Sequence, residues 1–411
     1  MNRIRRHRRA LLALACAVAA LGIGPRVAAQ APDVKFAVVA PLSGPWGRGG
    51  QLIVDGAQMA VDEINKSGGI KALGGAKVVL VTADAGDSAE KAKAAVQRLL
   101  SQEPNLVGGT GAWLSSFTLA ITEVTEREKL PWLTLSYADG ITARGFKYVF
   151  QTSPTGSRFT TEVMPILLDA LTAVNGARPK TVALLGDNTP ASQSFAKPLA
   201  ESVAKANNLE VVANEVYTPP LSDATSIVRK VRSANPDIAV LLTSNVPDMK
   251  LVMEKLSEFK MTGKVAMYGG GGHLGSPELG QNVRPDVLDG LFFSIANWTT
   301  KGMEDLAARF KARSPEPFMP HEAISGYGDM WILKEAIEQA GSADRVKVGE
   351  TMHRMKLTTG PAAVAYPGGV QFAENGLRTT SRVLLVQWQH GTPVVVAPAE
   401  LAVAKPLATK R

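Results

Sequence analysis

The sequence predicts an α/β protein of two lobes, each a parallel sheet flanked by helices. Three observations carry that expectation. From Val34 to Phe150, short β-rich runs alternate with amphipathic helical stretches, the pattern of right-handed βαβ units whose sheet is covered on both faces. After Ser153-Pro154 the alternation begins again. Helical stretches near 302–313, 321–340 and 344–355 then follow without clear strands between them, and the end turns β-like. Leftover helices followed by strands suggest a chain that crosses between lobes more than once, and a set of extended crossings is a hinge.

Residues 1–29 read as an export signal outside the fold. Arg3, Arg5, Arg6, Arg8 and Arg9 make a basic start, Ala10 to Ile23 is an apolar run too short to span a membrane, and Val27-Ala28-Ala29 offers small residues for cleavage. Arg8-Arg9 leaves the twin-arginine and general export routes both open. Cys16 is the only cysteine, and Ala13 rather than leucine stands three residues before it, so lipid anchoring is not expected. The signal holds six arginines and no acid, so of 45 basic and 37 acidic residues the rest of the chain keeps 39 and 37. That near-neutral balance gives no sign of nucleic-acid or lipid binding. With no cysteine left for a disulfide, stability is expected from hydrophobic cores, and the length suits about two domains. No later run approaches the ~20 apolar residues of a membrane span, so a soluble exported protein is expected.

Taken in order, Val34–Ala40 is a β-rich run that stops at Pro41, and Pro41 to Gly50 is expected as a loop. A helix follows with Ile53, Ala57, Ala60, Val61 and Ile64 on one stripe, ended by Ser67-Gly68-Gly69. Lys77–Thr82 is the next strand, and Asp87 with Glu90 is read as the cap of a helix striped by Ala92, Ala95, Val96, Leu99 and Leu100. The third unit runs from Val107 through Gly108-Gly109-Thr110-Gly111 to Ser115-Ser116, ahead of a helix with Phe117, Ala120, Ile121 and Val124 on one face. It reads as strand, open loop and serine-capped helix. Pro131–Leu135 is the fourth strand and leads into Ser136-Tyr137-Ala138-Asp139-Gly140.

In the second half a helix around Thr161–Ala173 precedes the strand Thr181–Leu185 and the loop Gly186-Asp187-Asn188-Thr189-Pro190. The next helix carries Phe195, Leu199 and Val203, with Pro198 in its first turn or at a kink. Leu209–Val212, a helix with Ile227, Val228 and Val231, and the strand Asp237–Thr243 follow. Pro247 opens a helix with Met249, Val252, Leu256 and Phe259. Val265–Tyr268 runs into Gly269-Gly270-Gly271-Gly272-His273, Gly290–Ile295 leads to Asn297-Trp298, and Val383–Trp388 and Val394–Val396 close the pattern around His390-Gly391.

In open α/β sheets a ligand sits beyond the carboxyl ends of the strands. The loops after Ala40, Val107, Leu135, Leu185, Thr243 and Tyr268 hold that position. The helix start at Ser115-Ser116 combines unpaired N–H groups, the positive end of a dipole and two hydroxyls, a seat for a carboxylate or other polar head.

Several of these segments carry a family resemblance: Ala40-Pro41-Leu42-Ser43-Gly44-Pro45, Gly56 to Asn65 with Gly68-Gly69-Ile70, Asp84 and the helix after it, Val107-Gly108, Leu130-Pro131 and Tyr148-Val149-Phe150. The chain resembles, over 32 to about 400, the periplasmic solute-binding proteins of branched-chain amino acid ABC transporters, the Leu/Ile/Val-binding type. The resemblance implies a type I periplasmic binding fold with a three-strand hinge, and lobes of 32–151 plus 297–360 and 152–296 plus 361–405. It implies a monomer that traps a small-molecule solute by hinge closure and hands it to an ABC transporter permease in the inner membrane. It places Ser115 and Ser116 at the ligand's carboxylate, Ser136, Tyr137, Ala138 and Asp139 near its amino group, and Trp46 over its apolar part. In the second lobe Asn188, Thr189, Gly270 and Gly271 are expected to close over the solute. That lobe departs from the amino-acid-binding pattern. Ala191-Ser192 stand where a Tyr-Gly pair is common, and the loop after Tyr268 is all glycine where an acid often pairs with the ammonium. An ammonium without an opposing carboxylate is poorly held in a closed cleft. Asp139 or Asp187 would have to replace it, and amides, keto acids and aromatic carboxylates become candidates.

Other readings weigh less. Gly270-x-Gly272-x-x-Gly275 matches a dinucleotide fingerprint only formally, since Pro277 breaks the expected helix. No cofactor is expected. Arg48 either clamps a carboxylate through its two-donor fork or is simply solvated. Trp298 is expected to pack at the hinge and Tyr327 in the core or at its rim. His321-Glu322 and His273 have no metal-ligand spacing and are expected at the surface. An exported hydrolase would need an activated nucleophile, and no Gly-x-Ser-x-Gly elbow is present. A periplasmic sensor of the same fold, docking on a receptor, stays open as the alternative to a transport component.

Overall fold

The computed structural model describes residues 32–408; the export signal read at 1–29 lies outside the described residues. The first sheet is built from β1 (Val34–Ala40), α1 (Gly47–Lys66), β2 (Val78–Asp84), α2 (Ala89–Gln102), β3 (Leu106–Gly111), α3 (Ser115–Arg127), β4 (Trp132–Thr134) and β5 (Val149–Gln151). Its five strands run in the order β2-β1-β3-β4-β5, all parallel. Strands such as β1 and β3 are buried almost end to end, as expected where helices cover both faces of a sheet.

The second sheet follows α4 (Gly156–Asn175). It takes β6 (Thr181–Asp187), α5 (Pro190–Pro198), a π turn at Leu199–Val203 into the short α6 (Ala204–Ala206), β7 (Glu210–Tyr217), α7 (Thr225–Ala234), β8 (Ile238–Leu242), α8 (Val246–Glu258) and β9 (Ala266–Gly270). Two short helices, α9 (Pro277–Asn282) and α10 (Pro285–Leu288), precede β10 (Phe292–Ile295). Then come α11 (Glu304–Lys311), α12 (His321–Ala340), α13 (Arg345–Arg354), α14 (Gly360–Ala365), β11 (Leu384–Gln389) and β12 (Thr392–Ala397). The strand order is β12-β11-β10-β9-β8-β6-β7. Strands β6 to β10 are parallel, and β11 and β12 join antiparallel. Pro198 ends α5 and the π turn follows it directly, which is how the chain absorbs a proline inside a helical run.

The late helices return to the first sheet. Every residue of α12 from His321 to Leu333 is buried, the signature of a helix packed on all sides rather than along one stripe. Its contact with α1 is main chain on main chain. A Cβ at Gly56 would lie 2.0 Å from the Ala323 carbonyl oxygen, and one at Gly326 would lie 2.2 Å from that of Ile53. Thr110 on β3 donates to Asp329 at 2.5 Å, and Arg345 of α13 donates to the Leu106 carbonyl at 2.6 Å. The segments passing between the sheets hold one another: Gln151 N donates to Gly376 O and Arg378 N to Gln151 O, each at 2.9 Å. The Arg378 side chain is fully buried there, and it donates to the carbonyls of Thr152 and Gly369 at 2.7 and 2.8 Å.

Three local expectations are corrected. Pro41–Gly50 is not all loop, because Gly44–Trp46 is a single 3-10 turn and α1 already begins at Gly47; burial of Gly50, Leu52 and Ile53 outweighs the glycines' poor helix propensity. Helix α2 is capped by Ser88, which accepts from Lys91 N at 3.2 Å. Asp87 is exposed and pairs with the Lys91 side chain. Helix α3 has Leu114 at its N-cap and no side-chain cap. Ser115 is already helical, and its hydroxyl accepts from Ala138 N at 3.2 Å.

Candidate functional site

The carboxyl ends of the parallel strands of both sheets converge on one cleft. Its larger cavity holds about 540 Å³, part of it open to solvent. One wall is Trp113, Leu114, Ser115 and Ser116 after β3, with Tyr137 after β4. The other is Thr189, Ala191, Ser192 and Phe195 after β6, Leu242, Thr243 and Ser244 after β8, and Gly270 to His273 after β9. A second cavity of about 380 Å³ adjoins it, sharing Trp113, Ser244 and His273 and adding Trp46, Arg48, Asn245, Glu278 and Glu322 among others.

Buried hydroxyls set the walls. Thr118 donates to Ala112 O at 2.7 Å and lies 2.7 Å from the Ser136 hydroxyl, which donates to Trp113 O at 2.9 Å. These bonds tie the end of β3 to the end of β4. Across the cleft Thr189 donates to Asp187 at 2.6 Å and lies 2.7 Å from the Ser244 hydroxyl, while Ser192 donates to Leu242 O at 2.8 Å. Thr189 is also the N-cap of α5. The cleft thus receives the N-terminal ends of both α3 and α5, each the positive end of a dipole; α3 has no side-chain cap, whereas in α5 Pro190 carries no N–H and Thr189 accepts from Ser192 N. That arrangement favours a carboxylate or a polar uncharged head.

The floor is aromatic. Tyr137 packs edge-on against Phe159 and Phe195, with centroids 5.2 and 5.8 Å away, and lies nearly parallel to the His321 ring. Its hydroxyl is 3.0 Å from His321 Nε2, and His321 Nδ1 meets Asn297 Oδ1. Burial pushes His321 down to about 3, so the ring is neutral. The Nδ1–H tautomer satisfies both neighbours, donating to Asn297 and accepting from Tyr137. Burial likewise pushes His273, whose Nε2 is 3.0 Å from the Thr243 hydroxyl, down to about 4. Glu322 is 3 % exposed, its Oε2 has no hydrogen-bond partner among the described residues, and burial pushes its carboxyl up to about 7.

Of the residues expected to bind, Ser115, Ser116, Tyr137, Thr189, Gly270 and Gly271 line the larger cavity and Trp46 the smaller. Ala138, Asp139 and Asn188 line neither. Ala138 is held by Ser115. Asp139 is a tether between elements, its N–H donating to Ser194 and its carboxylate accepting from Ser157. Asn188 faces solvent and donates to Thr218 at 2.9 Å. Asp187 is fully buried beneath the Thr189 loop. Arg48 pairs with the buried Glu316. Trp298 packs on Phe293 and Phe318 and donates to Pro393 O at 3.0 Å, inside the second sheet's core. Tyr327 is buried and donates to Glu63 at 2.7 Å.

The surface reading of His321, Glu322 and His273 is corrected: the first two are buried and His273 lines both cavities. Their signal was a polar pair at the head of a helix that is apolar or small on every face, which marks a helix with no solvent side. Thr243, Ser244, Ser192 and Phe195 were missed although the loops that carry them were placed correctly. The glycine fingerprint forms a strand end and a 3-10 turn at Gly272–Gly275, with only the six-residue α9 behind it. Among the described residues no group of three or more His, Cys, Asp and Glu side chains is placed to hold a metal ion, and no helix is long and apolar enough to cross a membrane.

Comparison with known proteins agrees with this fold. Residues 33–393 match the family described as periplasmic binding protein. A Leu/Ile/Val-binding protein homologue (homolog 8) of Brucella melitensis is 28% identical over 91% of this chain and 92% of its own. A leucine-binding protein, LivK, of Thermotoga maritima superposes with a TM-score of 0.74 at 22% identity, over 89% of this chain and 98% of its own. A solute-binding protein of an R. palustris ABC transporter, solved in complex with benzoate, gives 0.74 at 18% identity over 92% and 100%.

Proposed function

We propose that this chain, which belongs to the periplasmic binding protein family, captures a small solute in its cleft and delivers it to the permease of an ABC importer in the inner membrane. The solute is a branched-chain amino acid or a related amide or carboxylate. The observation that carries this reading is the convergence of both sheets' carboxyl ends, and of the N-termini of α3 and α5, on one aromatic-floored cleft. Apolar walls with a few convergent hydrogen-bonding groups are what a small-molecule site requires. The printed names of relatives, Leu/Ile/Val-binding proteins among them, support the solute class.

In this reading the lobes are 32–151 plus 297–360 and 152–296 plus 361–405, preceded by a signal over 1–29 that sends the chain to the periplasm as a monomer. Packing of α12 and α13 on the first sheet and pairing of β11 and β12 with the second support that division, while Ala365 and Tyr366, just past 360, pack against Gly328 and Asp329 of α12 and so side with the first lobe. The first lobe offers Ser115, Ser116 and Tyr137, with Trp46 at the rim. Ala138 and Asp139 shape the loop beneath. The second lobe closes with Thr189, Gly270 and Gly271, and Asn188 sits at its edge. Gly271 has a φ of +119°, open to glycine and costly for other residues, so the main chain can approach the solute there. The solute shifts the lobe equilibrium by its greater affinity for the closed form.

The test is a thermal-shift panel of leucine, isoleucine, valine, aliphatic amides, 2-keto acids and aromatic carboxylates. A solute held at a hundred times its Kd adds about 2.7 kcal/mol to native stability. Ala191→Trp, which fills the cleft from the start of α5, is expected to abolish the shift. An equal shift in that variant would refute this placement of the site.

A further inference from the structure

Resting on that reading of the cleft, we propose that Glu322 is the counter-charge for an ammonium group of the solute, so that the ligand is an α-amino acid rather than an uncharged amide or a simple carboxylate. The carboxylate comes from the head of α12, not from the loop after β9 or from Asp139 or Asp187.

Glu322 is a buried carboxylate left open on one side. It is 3 % exposed, and its Oε2 lacks any hydrogen-bond partner among the described residues. It lines the smaller cavity, which shares Trp113, Ser244 and His273 with the larger one. A buried charge with no partner is costly, and such groups in a cleft cluster at functional sites. No neighbouring group neutralises it. His321, beside it on α12, is neutral and committed to Tyr137 and Asn297. Tyr137, facing it from the loop after β4, has its hydroxyl on His321. His273, from the loop after β9, is neutral and bonded to Thr243. Arg48, at the start of α1, is paired with Glu316. Glu278, on α9, is another acid.

The glycine loop belongs to the same feature. A Cβ at Gly272 would stand 2.7 Å from Glu322 Oε1. The loop carries no acid of its own, and its bare main chain makes room for one supplied by another element. In the adjoining larger cavity, the start of the 13-residue α3, which has no side-chain cap, contributes Ser116. A cation-seeking carboxylate and an anion-seeking helix end in one cleft describe a zwitterion.

The experiment is titration calorimetry of matched pairs that differ only in the ammonium group: L-leucine and 4-methylpentanoate, L-isoleucine and 3-methylpentanoate, L-phenylalanine and 3-phenylpropanoate. Wild type and Glu322→Gln are compared at pH 5.5 and 8. Wild type is expected to bind at least one amino acid roughly tenfold or more tighter than its partner at pH 8. Its amino acid affinity is expected to rise roughly tenfold from pH 5.5 to 8, as a carboxyl lifted to about 7 ionises. In Glu322→Gln the preference and the pH dependence are expected to vanish while the deaminated acids bind as before. The wild-type pH profile keeps the test valid should the variant fold poorly. Amino acid binding that stays selective in Glu322→Gln, or a wild type that prefers the deaminated partner, overturns the proposal and leaves the binding cleft standing. No binding of any member to wild type overturns both.

Discussion

Glu322→Gln is also expected to stabilise the ligand-free protein, by an amount that depends on pH. Burial lifts the Glu322 carboxyl from 4.5 to about 7, so the folded state holds this proton more tightly than the unfolded chain. The sign follows from linkage: stability from this group is full below pH 4.5, falls as the pH rises through 4.5 to 7, and is level above. The displacement corresponds to about 3 kcal/mol between the two protonation states. Glutamine keeps the shape and cannot ionise, so its advantage over glutamate should be about 3 kcal/mol larger at pH 8 than at pH 4. Urea unfolding of both forms without ligand, at several pH values, measures it. His321, pushed by burial from 6.5 down to about 3, contributes the opposite slope as the pH falls below 6.5. It does so in both forms and cancels in the difference. A constant difference between variant and wild type from pH 4 to 8 would refute the claim that Glu322 is buried and uncompensated.

Two further perturbations test the walls and the scaffold. Ser115→Ala with Ser116→Ala is expected to weaken solute binding roughly tenfold or more without unfolding the protein, as read by calorimetry. Ser116→Ala alone isolates the ligand contact, because Ser115 also holds Ala138 N. Gly56→Ala sets propensity against packing. Alanine favours the helix by about 1 kcal/mol, but its Cβ would fall 2.0 Å from the Ala323 carbonyl oxygen, main chain that cannot rotate away. Overpacking of about 3 kcal/mol should win, leaving a net loss of about 2 kcal/mol in denaturant unfolding; a stabilised variant would show that the α1–α12 contact is loose.

The architecture was legible because each unit announces itself locally. Apolar runs such as Val34–Ala40 and Ile238–Leu242 are buried on both faces, and helices without strands between 302 and 355 read as a chain that crosses between lobes, where α12 and α13 bond to the first sheet. Loops at strand ends were placed well enough that Ser116, Thr189 and Gly270 line the larger cavity. Caps slipped because the extended residue that starts a helix is fixed by how the preceding loop packs: Ser88 rather than Asp87, Leu114 rather than Ser115. The missing acid was sought in loops after strands. Glu322 lies over 50 residues beyond that loop in the chain and reaches the cleft only because Gly56 and Gly326 let α12 press onto α1. The helix's own composition could signal that Glu322 is buried, but its meeting with the cleft is set by tertiary packing.

The most direct test of the account is the thermal-shift panel run side by side on wild type and Ala191→Trp. The account predicts that at least one small solute raises the wild-type Tm and leaves the filled-cleft variant unmoved. A panel that shifts neither protein, or shifts both alike, would contradict the claim that this cleft is where the chain captures its solute.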